Sequence, residues 1–159
     1  MIYWYHAETA TMAQRHGLPV DLVTAVVLTE SSGQTHAYRH EPAFWRRYLE
    51  GKPEWDGANP ARVSASYGLM QVMFPVAVEF GYARHDPPEY LFVPLIGLDY
   101  GCKVLRERMD WAKGDVRAAL ASYNGGKGGN APGGLLRNAA YADKVERMRH
   151  RIDGGWLRA

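Results

Sequence analysis

Cysteine is nearly missing from this 159-residue chain, and long apolar runs are missing altogether. The one cysteine, Cys102, cannot close an internal disulfide, so the fold does not depend on an oxidising compartment. Leu98, Cys102 and Leu105 share helical spacing, which makes Cys102 a small core hydrophobe before it is a nucleophile. No apolar stretch approaches the length of a bilayer-spanning helix, so no membrane insertion is expected. The opening MIYWYHAETATMAQRHG has no basic stretch followed by an apolar one, so no secretory leader is visible. An excess of charge of one sign is lacking too. Lys and Arg number 19 against 17 Asp and Glu, a net charge of +2 that gives no argument for a nucleic-acid partner.

Several chemical signatures are also absent. The six histidines (His6, His16, His36, His40, His85 and His150) include no HExxH and no Cys/His cluster. His36 and His40 stand at i, i+4 but lack a third ligand pattern. GGKGGN neither follows a strand nor ends in Lys-Ser/Thr, so it is no phosphate loop, and no GxSxG occurs. No metal and no cofactor are expected.

What is present is an ordinary globular composition. Hydrophobic residues make up 47% of the chain, enough at this length for one sizeable core, and a single domain over 1–159 is expected. No repeat or linker divides it. The patterning reads as mainly helical. A first helix is expected over residues 3–16, stopped at Gly17. LPVDLVTAVVLTESSG gives a second, with Pro19 near its start and Gly33 at its end. EPAFWRRYLEG reads as a short helix from Pro42 to Gly51. Residues 51–66 read as loop with room for a short hairpin, and 68–74 as a turn or broken helix before a helix from Pro75 to Phe80. Residues 94–113 form the longest candidate, with Leu95, Leu98, Cys102, Leu105, Met109 and Ala112 along one side. Asp115 then caps DVRAALASYNGG, residues 125–134 form a flexible loop, and a last helix runs from Leu135 to Ile152.

The candidates for chemistry are polar groups placed on apolar faces. Counting back from Glu30 gives Val27, Val26 and Val23, one helix face. A carboxyl on a buried face loses water, which raises its pKa, and the negative end of the helix dipole pushes the same way. A carboxyl kept protonated near neutral pH is a general acid. The plainer alternative is a glutamate at a helix end with its head in solvent. Tyr123 follows Val116, Ala119 and Leu120 at helical spacing, just before Asn124, Gly125 and Gly126 end the helix. Tyr141 shares a stripe with Val145, Met148 and Ile152. Core packing is the plainer reading for either tyrosine. In SYGLMQVM, Gly68 permits close backbone approach and Gln71 is an amide in an apolar run.

Four motifs occur in a set order: Glu30-Ser31, Gly68-Leu69-Met70-Gln71, Ala121-Ser122-Tyr123-Asn124-Gly125-Gly126, and Tyr141 to Val145. Together they resemble the soluble lytic transglycosylases of the SLT type, across residues 30–145. The EPAFWRRY segment and the missing leader resemble a bacteriophage lysin more than a periplasmic housekeeping enzyme. On that resemblance the protein would be soluble, held in the host cytoplasm or virion before release, and active at the bacterial wall.

The resemblance implies an α+β lysozyme-like fold, mainly α, with a small β element flanking a substrate groove. It implies peptidoglycan glycan strands as the partner, a monomer, and cleavage between N-acetylmuramic acid and N-acetylglucosamine. It assigns Glu30 as the sole acid and base, acting without a second carboxylate, with the muramic acid's 6-hydroxyl closing a 1,6-anhydro ring. By matched positions, Tyr141 orients the Glu30 carboxyl, while Tyr123, Asn124, Gln71 and Met73 line the groove. Ser64 or Ser66 matches a serine that contacts the N-acetyl group; the register leaves both open.

One departure stands out. The stretch between Glu30 and Gln71 is longer than in compact members of the family. Residues 36–62 hold Tyr38, Glu41, Phe44, Trp45, Arg46, Arg47, Tyr48 and Trp55, either a sugar-stacking wall or a small helix packed on the body. Glu41 or Asp56 there could serve as the second carboxylate of a hydrolysing muramidase, the commoner glycosidase design. Two further readings remain: a wall-binding module without activity, and a chitin-active relative.

Overall fold

The computed structural model describes residues 3–155. The ends of the domain expected over 1–159, residues 1–2 and 156–159, lie outside the described residues. The fold is mainly helical with one small sheet, and its centre is a single helix.

Helix α1 (His6–Arg15) leads into α2 (Val20–Ser31), which begins just after Pro19. Every side chain of α2 from Leu22 to Leu28 is at most 4% exposed. An amphipathic helix would bury one stripe; one that is apolar all round sits inside a core. The one-sided valine face expected around Glu30 is therefore a helix covered on every side, packed against α1 and, more extensively, the final helix. Burying each Val or Leu contributes on the order of 1.5–3 kcal/mol.

A three-stranded antiparallel sheet follows, in the order β1 (Tyr38–His40), β2 (Ala65–Tyr67), β3 (Val72–Met73). Between β1 and β2 lie α3 (Pro42–Phe44), a π-helical turn (Trp45–Leu49), a 3-10 turn (Pro53–Trp55) and α4 (Pro60–Val63). The helix expected from Pro42 to Gly51 is thus α3 and the π turn. The expected 51–66 loop contains two short helical pieces and no hairpin of its own; the hairpin is β2–β3, over 65–73, in place of the turn or broken helix expected from 68 on.

Helix α5 (Phe74–Glu79) carries Pro75 in its first turn, where a missing N–H costs nothing. After a 3-10 turn (Pro88–Phe92) come α6 (Pro94–Trp111), α7 (Val116–Gly125) and α8 (Ala139–Asp153). The Asp115 side chain accepts the Ala118 N–H at 3.1 Å and so caps α7. On α6, Leu98, Cys102 and Leu105 are buried, but Leu95 is 45% exposed, because the first turn of α6 overhangs the core. Burial pushes the Cys102 thiol up to about 12, leaving it protonated and inert at neutral pH.

The loop after α7 is tied rather than flexible. Fully buried Asn130 donates to the Gly126 carbonyl at 2.8 Å and to Asn138 Oδ1 at 3.0 Å, and its own Oδ1 accepts the Asn138 N–H at 2.9 Å. These bonds hold the backbone at 138 outside a helix, so α8 starts at Ala139 and not at the expected Leu135.

Candidate active site

The turn between β2 and β3 is where the separate motifs meet. Ser31, in the last turn of α2, donates to the Leu69 carbonyl at 2.8 Å and lies 3.0 Å from the Val27 carbonyl. Tyr123, near the end of α7, donates to the Met70 carbonyl at 2.7 Å. Gln71 donates from Nε2 to the Gly68 carbonyl at 3.0 Å and to Ala37 at 2.9 Å. Three consecutive carbonyls, from Gly68 to Met70, are each claimed by a side chain from a different motif. A buried carbonyl left unpaired costs about 1–3 kcal/mol, so these bonds fix the turn relative to both helices.

Close packing beneath the turn needs small residues. Gly68 has φ +76, and a Cβ there would lie 2.4 Å from the Leu91 carbonyl oxygen. On α6, a Cβ at Gly101 would lie 2.4 Å from Met70 Sδ. No larger residue fits either place without moving the turn.

Glu30 sits one residue before the Ser31 tie, where α2 comes out of the core. Its neighbour but one, Ser32, is left-handed (φ 54) and ends the helix. The Glu30 carboxyl lines a groove of about 890 Å³. Burial pushes its pKa up to about 7. Three groups pull against that rise: the Tyr141 hydroxyl, which donates to Oε1 at 2.7 Å, and the cations of Arg39 and Lys144. The result is a carboxyl that can both give and take a proton near neutral pH. Burial likewise holds the Tyr123 and Tyr141 phenols well above their usual range, so both remain hydrogen-bond donors.

The sheet supplies the next wall. Arg39 pairs with Ser66, and Ser66 with Met73, in one cross-strand row. All three line the groove with Glu30, as the alternation of a pleated sheet requires. The Ser66 hydroxyl makes no hydrogen bond among the described residues, whereas Ser64 is fully buried and donates to the Glu41 carbonyl at 2.7 Å. The two serines left open by the register are thereby separated: Ser66 is in the groove and Ser64 is an internal strut. Asn124 lines the groove as well; its Oδ1 accepts from Asn138 Nδ2 at 2.9 Å, leaving its own amide hydrogens uncommitted. Gln71 has both amide hydrogens committed and retains Oε1 as an acceptor.

The two expected second carboxylates differ in place. Glu41 lines the groove but is paired with Arg39 Nε at 2.9 Å. Asp56 lies in an adjoining cavity of about 360 Å³ and is not on the groove. Three features escaped the sequence reading: the groove position of Arg39, the Ser31 tie, and Arg108, which lines the groove and contacts the Ser122 carbonyl at 3.4 Å. Only Ser31 carried a signal, being a hydroxyl four residues after Val27 at a helix end. Among the described residues no cluster of three metal-ligating side chains occurs.

Comparison with known proteins agrees with this geometry. The model of the family described as Transglycosylase SLT domain matches residues 9–140, a span that holds Glu30, Gln71 and Tyr123 and stops one residue short of Tyr141. Among solved structures, an inactive mutant of the lytic transglycosylase Slt from Pseudomonas aeruginosa superposes with a TM-score of 0.69 at 18% identity. That likeness covers 98% of this chain but 25% of the Slt chain, so the protein spans about a quarter of that structure's length. No curated protein matches it. A match over most of the chain, carried by a helical fold with Glu30 on its groove, shows that the protein belongs to the Transglycosylase SLT domain family.

Proposed function

We propose that the protein is a peptidoglycan lytic transglycosylase that cuts the β-1,4 bond between N-acetylmuramic acid and N-acetylglucosamine. The observation that carries this is Glu30: a groove carboxyl whose pKa of about 7 suits one group to act first as acid and then as base. Protonated Glu30 gives its proton to the glycosidic oxygen as the bond from C1 to that oxygen breaks. The carboxylate left behind takes the proton of the muramic acid's 6-hydroxyl as O6 bonds to C1. Glu30 ends protonated, the product carries a 1,6-anhydro ring, and no water is consumed.

The other groove groups take roles from their free valences. Tyr141 steadies the carboxylate between the two proton transfers. Ser66, Gln71 Oε1 and the Asn124 amide offer one donor-acceptor, one acceptor and one donor to the N-acetyl and hydroxyl groups of the sugars. Met73 supplies apolar floor. Tyr123 acts through the backbone, since its hydroxyl is committed to Met70.

A hydrolytic muramidase on the same fold is the alternative, with Glu41 as the second carboxylate. Its presence on the groove favours this reading; its pairing with Arg39 opposes it. Mass spectrometry of muropeptides released from purified sacculi decides. The anhydro product is lighter than the hydrolytic one by one water, and a hydrated reducing end would overturn the transglycosylase reading. A bacteriophage lysis role is proposed on the likeness of the EPAFWRRY segment. Clearing of permeabilised bacteria by the added protein, lost in Glu30→Gln, tests it.

A further inference from the structure

The segment between β1 and β2 contributes little to the core. Helix α3 buries no side chain, and the π turn buries only Leu49. Trp55 packs inward, its ring edge-on to Phe74 at 6.0 Å. Phe44 and Trp45 are half-buried against the core, whereas Tyr48 is exposed. Phe44 and Tyr48 both line the same groove as Glu30, their ring centres 4.7 Å apart. Tyr48 is 44% exposed, although a large ring in a groove gains by being covered. The Arg47 guanidinium lies 5.2 Å from the Tyr48 ring centre, which restrains the ring. The π turn, closed by the Glu50 N–H on the Trp45 carbonyl at 2.9 Å, is a rare form that recurs at functional sites. Past Lys52 and Trp55, which line both, the groove adjoins the second cavity.

We propose that Tyr48, backed by Phe44 and restrained by Arg47, is a sugar-stacking platform that binds the glycan strand away from the cleaved bond. A pyranose presents a face of C–H groups that covers an aromatic ring, and the platform lies on the groove that the reacting sugars would occupy. Efficiency therefore depends on strand length: a strand long enough to reach Tyr48 is bound better, and a short one is not. This rests on the reaction proposed above.

The test uses peptide-free glycan strands of two lengths, tetrasaccharide and octasaccharide, with wild type, Tyr48→Ala and Tyr48→Phe. For Tyr48→Ala, kcat/KM on the octasaccharide should fall about fivefold, through KM, and by less on the tetrasaccharide, so that the gain from strand length shrinks. Tyr48→Phe, which keeps the ring, should restore the octasaccharide value. Because Tyr48 is exposed, thermal melting of both variants should match wild type. An equal fall on both lengths, or none on either, overturns the platform and leaves the proposed reaction standing. A wild type that cleaves neither strand overturns the reaction, and the platform with it.

Discussion

The Tyr141 hydroxyl donates to Glu30 Oε1 at 2.7 Å, joining α8 to the last turn of α2 across 111 positions of sequence. The bond favours the charged carboxylate, while burial favours the neutral acid. Glu30 is held near neutrality by the balance of the two, and burial is the larger. A catalytic group obtained this way is sensitive to either side being removed.

Tyr141→Phe removes the donor and leaves the burial. Glu30 should then hold its proton to higher pH. The alkaline limb of the rate profile, which reports loss of the acid, should move up by on the order of one pH unit. The maximal rate should fall as well, because the freed carboxyl loses its orientation. A pH–rate profile on purified sacculi checks this. A limb that stays in place or moves down would mean that Tyr141 does not stabilise the carboxylate.

Glu30→Gln separates catalysis from stability. Wall cleavage should drop by at least about a hundredfold. Stability should change in the other direction, with a sign set by the raised pKa. The native carboxyl titrates at about 7, the unfolded one near 4.3. Stability contributed by holding that proton is full below the unfolded value and is lost as pH rises through 7. The loss is on the order of 3 kcal/mol, and Gln, which does not titrate, escapes it. Denaturant unfolding should therefore show variant and wild type close at pH 4 and the variant more stable at pH 8. An unchanged gap at the two pH values would refute burial as the cause.

The elements that sequence reveals here are those whose signal is local. Helix α7 announces itself through Asp115 and the spacing of Ala119, Leu120 and Tyr123. Helix α6 does so through Leu98, Cys102 and Leu105. The strands do not, because two or three residues cannot display alternation, and their pairing joins Arg39 to Ser66 across the whole intervening segment. That is why Arg39 carries no signal in the sequence and why Ser64 and Ser66 read alike there: Ser66 belongs to β2 and lines the groove, whereas Ser64 ends α4, outside the strand, and turns in to the Glu41 carbonyl. The sequence pattern around Glu30 is only partly a structural signal. Its apolar face proved to be a helix buried all round, and position in the last turn, where α2 leaves the core, is what brings it to the groove. The order of the loop at 125–138 was illegible for a related reason: Asn130 and Asn138 satisfy each other, and neither alone predicts a partner.

Gly68→Ala tests how tightly the turn is seated. The change introduces a Cβ 2.4 Å from the Leu91 carbonyl oxygen and places alanine at φ +76. Strain and clash together should cost roughly 2–4 kcal/mol. Because the turn leads directly to Gln71 and Met73, activity should fall further than the fraction unfolded explains. Denaturant melts and sacculus turbidity on the same preparation check both. A variant that melts and cleaves like wild type would show that the turn can move away from Leu91 without consequence.

Ser31 and Tyr123 hold neighbouring carbonyls of that turn from two different helices. Tyr123→Phe should cost about 1–2 kcal/mol, the loss of one hydrogen bond to a buried carbonyl, and Ser31→Ala about as much or more, since its hydroxyl also accepts the Gly33 N–H at 3.2 Å. Once either tie is cut, the turn can shift, and the second bond is worth less. The double variant should therefore lose less than the two single losses added, by at least about 0.5 kcal/mol. Rates should follow the same pattern, with kcat falling and KM little changed, since neither hydroxyl is free to touch substrate. Strict additivity in a double-mutant cycle would mean that the two helices grip the turn independently. A Tyr123→Phe variant that raised KM alone would instead place its hydroxyl on the sugar.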